Sequence, residues 1–168
     1  VIHFAGLKAV GESVAEPLRY FRVNLGTTLA LAETMAAHGV TRLVFSSSAT
    51  VYSPAAEVPL REDAATGPTN PYGETKAMIE RMLADVDTAH ALRWTALRYF
   101  NAAGATPSLG EDHQPETHLI PIVLQVALGK RDAIQIFGND YNTPDGTCIR
   151  DYVHVSDLID AHILAADQ

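Results

Sequence analysis

The stretch Asn70-Pro71-Tyr72-Gly73-Glu74-Thr75-Lys76 combines a helix start with two side chains that carry chemistry. Asn70 predicts an N-cap, and Pro71 suits the first helical position, where its missing N–H costs nothing. A step of four residues places Tyr72 and Lys76 on one helical face, with Cβ atoms about 6 Å apart. An ammonium there favours the phenolate, so we expect it to lower the pKa of Tyr72 and let the phenol accept a proton.

An apolar run upstream ends abruptly in hydroxyl side chains, as Phe45-Ser46-Ser47-Ser48-Ala49-Thr50-Val51-Tyr52. Residues 43–45 predict a buried strand that delivers the serines at its carboxyl end. Ligands of open parallel sheets lie outside those ends. Turn chemistry is the alternative for a serine-rich strand end, and it is the interpretation we favour for Ser46.

A serine cluster at a strand end followed by Tyr-x-x-x-Lys resembles the short-chain dehydrogenase/reductase superfamily. Within it, five stretches in order are similar to the UDP-glucose 4-epimerase family: residues 3–13, 46–52, 97–101, 137–141 and 150–155. The similarity runs over essentially the whole chain. It implies an α/β fold, with part of a Rossmann-type doubly wound parallel sheet plus part of a smaller α/β substrate domain.

The resemblance also implies how the chain is divided. Residues 1–104 correspond to the later part of an NAD-binding Rossmann domain, and residues 105–168 to the start of a UDP-sugar domain with a return segment. The family's Gly-x-x-Gly-x-x-Gly turn, which places a pyrophosphate at a helix N-terminus, does not occur in the sequence. Val1 is not a start methionine, so we interpret the sequence as a fragment.

By resemblance, Tyr72 removes the 4-hydroxyl proton of a UDP-sugar while hydride passes to NAD, and the 4-keto sugar turns over before hydride returns. Lys76 holds the cofactor ribose and depresses the pKa of Tyr72, and Ser48 binds the sugar O4. The product is the 4-epimer, as in interconversion of UDP-glucose and UDP-galactose in galactose metabolism.

Two larger sets of residues follow from the same resemblance. The cofactor-binding set is Phe4, Ala5, Gly6, Lys8, Asn24, Ser46, Tyr72, Lys76 and Tyr99. The substrate-binding set is Lys8, Ser48, Ala49, Thr50, Tyr72, Phe100, Asn101, His118, Leu119, Gln135, Phe137 and Arg150. Alternatives remain for three of them: Lys8 as a solvated loop lysine, Asn24 as a helix-packing residue, and Arg150 as a structural partner of Asp151. His118 departs from the family, which usually has asparagine at its position.

Composition narrows the classes of partner. A formal net charge of −8 argues against nucleic acid or an anionic membrane as the main partner. The seven histidines lack His-x-x-x-His spacing, which predicts no structural metal. The single cysteine, Cys148, excludes an intramolecular disulfide framework and fits a reducing compartment. No apolar run approaches the ~20 residues that cross a bilayer, and the family implies a cytoplasmic homodimer.

Periodicity predicts the remaining elements. We expect strands over 1–5, 94–99 and 134–137, and helices over 17–38, 71–87, 119–128 and 156–167, with caps at Thr117 and Ser156. The helix over 71–87 should bury Met78, Ile79, Met82 and Leu83.

Two rival functions remain open. A nucleotide-sugar 4,6-dehydratase or decarboxylase of the same superfamily typically has an acid near the hydroxyl of the second strand, where this chain has Ala49. A non-catalytic remnant or interaction module is the other rival, because a missing phosphate-binding turn would cripple NAD binding.

Overall fold

The computed structural model describes all 168 residues and divides into two compact units. The first, here called the sheet unit, comprises Val1–Phe100 and Ile159–Gln168, and the second, the small unit, comprises Asn101–Leu158. None of the helices is long and apolar enough to cross a membrane.

Three parallel strands organise the sheet unit, in the order β1-β2-β3: β1 (Ile2–His3), β2 (Arg42–Ser46) and β3 (Arg93–Leu97). The middle strand is buried on both faces from Leu43 onward, as expected for a strand with helices over a parallel sheet. The α/β fold class predicted from the sequence is confirmed. The first strand is shorter than predicted, because only Ile2 and His3 pair with β2.

The helical segment after β1 is interrupted at Glu16 and contains a π-helical turn further on. It consists of α1 (Val10–Ala15), α2 (Pro17–Tyr20), a π-helical turn (Phe21–Leu25) and α3 (Gly26–Ala37). The prediction of a helix over 17–38 is confirmed, but a 3.6-residue period does not reveal a π turn. Such turns occur frequently at functional sites, and this one carries the buried Asn24.

The helix that begins at the opening motif is α4 (Pro71–His90). Asn70 caps it as predicted, because its Oδ1 accepts the N–H of Gly73 at 2.9 Å. The helix runs past the predicted end at residue 87 and stops where Ala91 adopts a left-handed conformation, with φ 52°. Ile79 and Leu83 are buried as predicted, whereas Met78 is 38% exposed.

The core of the sheet unit joins helices to strands β2 and β3. Its buried members are Met35, Leu43, Phe45, Ile79, Leu83 and Leu92. Because α4 contributes two of these side chains, core packing fixes the helix that carries Tyr72 and Lys76.

The small unit contains two parallel strands, β4 (Asn101–Ala103) and β5 (Tyr152–His154), and a helix, α5 (Leu119–Ala127). Helix α6 (Val155–Asp167) begins directly after β5. The strand predicted over 134–137 is wrong, because that segment pairs with no other strand. The caps are wrong as well: His118 is the N-cap residue of α5, and Ser156 lies inside α6.

Candidate active site

The carboxyl ends of the three parallel strands lie along one edge of the sheet. The loop after β1 brings Phe4, Ala5, Gly6 and Lys8 to this edge, the end of β2 brings Ser46 to Thr50, and Tyr99 and Phe100 follow β3. A surface depression of about 390 Å³, lined by Thr41, Arg42, Ala91 and Arg93, lies at the opposite, amino ends of the strands. Because ligands of parallel sheets bind outside the carboxyl ends, we place the candidate site at the serine edge.

Ser48 is fixed by the short 3-10 turn Ala49–Val51 that follows it. Its Oγ accepts hydrogen bonds from the N–H of Thr50 at 3.2 Å and from Thr50 Oγ1 at 3.0 Å. The same hydroxyl also interacts with the phenol of Tyr72 and lowers its pKa, against the rise that burial causes. The structure therefore brings Ser48 and Tyr72 together, as the sequence predicted.

Gly73 allows the first turn of α4 to pack closely against the turn that holds Ser48. A Cβ at Gly73 would lie 2.7 Å from the carbonyl oxygen of Thr50 and 3.0 Å from Cβ of Pro68. No side chain fits in that space, so the first turn of α4 can pack directly on the turn that holds Ser48. This role of Gly73 was not predicted from the sequence.

Lys76 is buried beneath the same edge. Its Nζ donates a hydrogen bond to the carbonyl oxygen of Ser46 at 2.7 Å and lies 4.7 Å from the ring centroid of Phe45. Burial lowers the pKa of Lys76 to about 8, although the negative charge of Glu80 acts in the opposite direction. The ammonium of Lys76 therefore loses its proton at a much lower pH than an exposed lysine does.

The expected direction of the Tyr72 pKa shift is wrong for this structure. Burial raises the pKa of Tyr72, and the nearby Tyr99 raises it further, while the hydrogen bond with Ser48 lowers it. Lys76 Nζ is 5.7 Å from the centroid of the Tyr72 ring. The loss of water around the phenol outweighs the charge that the four-residue spacing places beside it.

Ser46 and Tyr99 are joined by a short hydrogen bond between their hydroxyl groups. Ser46 is the last residue of β2, and its carbonyl oxygen accepts from Lys76. The turn interpretation favoured for Ser46 is therefore wrong, because the residue belongs to the strand ladder. Its two polar groups connect Tyr99 with the lysine.

Asn24 is 2% exposed and fastens the loop after β1. Its Oδ1 accepts the N–H of Leu7 at 2.8 Å, while Nδ2 donates to the carbonyl oxygen of Leu7 and to Thr75 Oγ1, each at 3.1 Å. A Cβ at Gly6 would lie 3.1 Å from Asn24 Oδ1, so the loop packs tightly on this amide. Asn24 thus has the packing role that the sequence left open, and it packs the loop predicted to meet the cofactor.

One buried group at this edge was not predicted from the sequence. Glu80, 7% exposed, accepts hydrogen bonds from Ser47 Oγ at 2.5 Å and from Arg98 Nη2 at 2.5 Å. The available signal was an acid one turn after Lys76 on the buried face of a helix, where an unpaired carboxylate would be costly.

The remaining predicted substrate residues lie in the small unit, and most of them are exposed. Asn101 Nδ2 donates to the carbonyl oxygen of Asp151 at 2.7 Å, and Arg150 Nη1 donates to its neighbour Ile149 at 2.9 Å. Leu119 is 56% and Phe137 91% exposed. The structure shows no hydrogen bond or ion pair among the predicted residues of this unit, which are Asn101, His118, Leu119, Gln135, Phe137 and Arg150.

His118 belongs to a polar cluster within the small unit. Its Nδ1 lies 2.9 Å from Glu116 Oε1 and 3.6 Å from Glu111 Oε1. One possible ligand atom from each of the three residues lies within 4.8 Å of the others. The prediction that the chain holds no structural metal stays a prediction.

The parallel sheet, its covering helices and the polar carboxyl edge define a Rossmann-like α/β protein. A family model described as "NAD dependent epimerase/dehydratase family" matches residues 1–168, and the chain belongs to that family.

Known relatives agree with this assignment. The chain is 57% identical over 171 residues to the UDP-glucose 4-epimerase of Homo sapiens. This alignment covers 98% of this chain and 49% of the relative. The crystal structure of UDP-glucose 4-epimerase from Brucella ovis in complex with NAD matches with a TM-score of 0.95 and 50% identity, over 99% of this chain and 52% of that one. The enzyme from Bifidobacterium longum in complex with NAD+ and UDP matches with a TM-score of 0.93 and 49% identity, over 99% and 51%. The chain spans about half the length of the relatives it matches.

Proposed function

We propose that the complete protein carrying these residues is an NAD-dependent isomerase that interconverts UDP-glucose and UDP-galactose. The convergence of Tyr72, Ser48 and Lys76 at the carboxyl edge of a parallel sheet carries this proposal. The names of the relatives support it, since those with 57% and 50% identity are UDP-glucose 4-epimerases.

The residues present fit NAD as the cofactor. The ammonium of Lys76 has three N–H donors and gives one to Ser46, so buried donors remain for the hydroxyl groups of a ribose. The loop from Phe4 to Lys8 is pinned by Asn24 and presents backbone with little side-chain bulk at Ala5 and Gly6. Ser46 and Tyr99 complete this proposed cofactor set. When bound, NAD supplies the hydride acceptor for oxidation of the sugar at C4.

The chain's own residues would move the proton. The phenol oxygen of Tyr72 takes the proton of the sugar 4-hydroxyl, and Ser48 Oγ holds the O4 atom. Because burial raises the pKa of Tyr72, a nearby positive charge is needed to stabilise the phenolate. The ammonium of Lys76, 5.7 Å from the centroid of the Tyr72 ring, supplies this charge. The buried position of Lys76 keeps this charge from being screened by water.

The proposed substrate set has members in each unit. In the sheet unit these are Lys8, Ala49, Thr50 and Phe100, and in the small unit they are Asn101, His118, Leu119, Gln135, Phe137 and Arg150. Arg150 suits a diphosphate, because a guanidinium pairs with phosphate oxygens bidentately. Ala49 lies in the turn beside Ser48 and offers no acid, which disfavours the dehydratase and decarboxylase alternatives.

Three further points belong to the same proposal. Residues 1–104 act as the later part of the NAD-binding domain, and residues 105–168 as the start of the UDP-sugar domain with its return segment. The protein works in the cytoplasm, which the free and exposed Cys148 supports. It works as a homodimer, which the family resemblance supports and light scattering of the purified protein would test.

The deciding experiment replaces Tyr72 by phenylalanine in the complete protein. Tyr72→Phe removes only the hydroxyl that exchanges the proton, so epimerisation should fall by about 1,000-fold while NAD stays bound. Tyr152→Phe, at an exposed tyrosine of the small unit, is the matched control and should keep full activity. Conversion of UDP-galactose and native mass spectrometry of the retained NAD are the two measurements. Full activity of Tyr72→Phe would refute the proposed role.

A further inference from the structure

The carboxylate of Glu80 joins three elements of the sheet unit. Glu80 lies on α4 and accepts hydrogen bonds from Ser47, which follows β2, and from Arg98, which follows β3. Arg98 engages it in a fork, with Nε 3.0 and 3.1 Å from the two oxygens and Nη2 2.5 Å from Oε2. A bidentate pair of this kind fixes orientation as well as distance.

Arg98 is itself held from the other side. Its Nη1 donates to the carbonyl oxygen of Glu62 at 3.0 Å, and its guanidinium lies 5.0 Å from the ring centroid of Tyr52. The hydrogen bond with Glu80 raises the pKa of Arg98, so Arg98 stays charged. Arg98 is therefore held in place on both sides, and it fixes the orientation of the Glu80 carboxylate that Ser47 contacts.

Ser47 connects the Glu80–Arg98 pair with the candidate active site. It sits between Ser46, whose carbonyl oxygen accepts from Lys76, and Ser48, whose hydroxyl meets Tyr72. Ser47 is 1% exposed, and its hydroxyl is occupied by Glu80 rather than by any group of the site. Holding this side chain fixes the two peptide units that carry the neighbouring serines.

The charge of Glu80 also acts on Lys76, one helical turn before it. The titratable groups that face Lys76 are His3 from β1 and Tyr72 and Glu80 from α4. Burial and the charge of Lys76 lower the pKa of His3, and burial raises the pKa of Tyr72, so both are neutral near pH 7. Glu80 is itself paired with Arg98, but its carboxylate is buried one helical turn from the buried ammonium, and its charge favours the protonated form of Lys76.

We propose that Glu80, anchored by Arg98, is a positioning residue that holds the Ser46–Ser48 segment through Ser47 and supplies a counter-charge to the buried ammonium of Lys76, one helical turn away. The inference rests on the proposed function for its effect on turnover, but its effect on Lys76 can be measured without any activity. Neither Glu80 nor Arg98 touches the reacting groups, so each acts through a neighbour.

The first test is a titration of Lys76 in the complete protein, with 13C placed at the Cε atoms of its lysines and the Lys76 signal assigned with Lys76→Arg. These residues include three lysines, and the Lys76 signal should titrate with a pKa of about 8. In Glu80→Gln, which keeps the shape and loses the charge, we expect the pKa of Lys76 to fall to about 7. Asp85→Asn removes the same charge from an exposed position of α4 and should change nothing. An unchanged Lys76 titration in folded Glu80→Gln would overturn the counter-charge role.

The second test separates position from charge. Ser47→Ala leaves the Glu80–Arg98 pair intact, so Lys76 should titrate as before, while kcat should fall about tenfold with KM within about twofold. Unchanged kcat in Ser47→Ala would overturn the positioning role, and this test does not depend on the folding of Glu80→Gln. If the parent protein does not epimerise UDP-sugars but Lys76 still responds to Glu80→Gln, the proposed function fails and the counter-charge role stands.

Discussion

The two units of this chain bury their side chains to very different extents. All the fully buried residues, polar and apolar, belong to the sheet unit, and the small unit contains none. Tyr72, Lys76 and Ser48 are accordingly held by core packing and buried hydrogen bonds. Leu119, Phe137 and Arg150 are exposed, and the contacts within their own unit fix them far less. The comparison teaches that packing in the sheet unit fixes the positions of Tyr72, Lys76 and Ser48, whereas the residues of the small unit predicted to bind substrate are mostly exposed.

The largest expected effect tests this contrast in the core. Leu83 is fully buried in α4, so Leu83→Ala should lower the free energy of unfolding by about 3 kcal/mol, through lost burial and a cavity. Phe137→Ala removes a larger side chain that is 91% exposed in the small unit, and it should change stability by less than about 0.5 kcal/mol. Urea unfolding followed by far-ultraviolet circular dichroism, which reports on the helices of both units, measures both changes. Equal effects of the two substitutions would break the comparison.

The next effect concerns the close approach beneath Ser48. Gly73→Ala places a Cβ 2.7 Å from a backbone oxygen that cannot swing away, and overpacking of this kind costs about 2 kcal/mol. The control is Gly26→Ala, at a helical glycine where an added methyl group would meet nothing within 4 Å, and it should stabilise by about 0.5 to 1 kcal/mol. The same unfolding experiment measures both. Stabilisation by Gly73→Ala would mean that the turn and α4 do not pack as described.

A smaller effect with a distinct pH dependence is expected at Lys76. Its folded-state pKa of about 8 lies below the ordinary value of 10.5, so the unfolded chain binds more protons between these pH values. Stability therefore rises with pH from about 8 to about 10.5, and the penalty of burying the ammonium is fully present below pH 8. Lys76→Met should stabilise the sheet unit by about 1 to 2 kcal/mol at pH 7, after the lost hydrogen bond to Ser46 is subtracted.

The gain from Lys76→Met should shrink as the pH approaches 10.5, and unfolding free energies measured from pH 7 to 10.5 provide the check. Lys130→Met, at an exposed lysine of the small unit, should show neither the gain nor the pH dependence. A gain that stayed constant over this range would contradict the assigned burial of the charge.

The smallest expected change in stability concerns the N-cap residues of α4 and α5, Asn70 and His118. Asn70→Ala removes the side-chain bond to the N–H of Gly73 and should cost about 1 kcal/mol. His118 is the N-cap residue of α5 but caps it with no side-chain hydrogen bond, so His118→Ala should cost less than about 0.5 kcal/mol. Thermal unfolding followed by circular dichroism is sensitive enough for both. A larger loss at His118 would show that the cluster with Glu111 and Glu116 stabilises its unit.

Much of the sheet unit could be predicted because its signals are local. Asn70 and Pro71 mark the start of α4, and the apolar run before Ser46 marks β2. The strands of the small unit were missed for the opposite reason. β4 has three residues and pairs with β5 about fifty positions later, so no short window contains the pattern. The segment 134–137 has the right residue types for a strand, yet a strand also needs a partner to bond with.

The sequence by itself determined the family, the fold class and the identity of the Ser, Tyr and Lys side chains, because spacing and residue type are linear properties. Only the tertiary structure decided the electrostatics. Burial raises the pKa of Tyr72 and lowers that of Lys76, and the Glu80–Arg98 pair forms across 18 positions between helix α4 and the end of β3. Desolvation depends on every atom packed around a group, so the spacing of two residues on a helix cannot give even its sign.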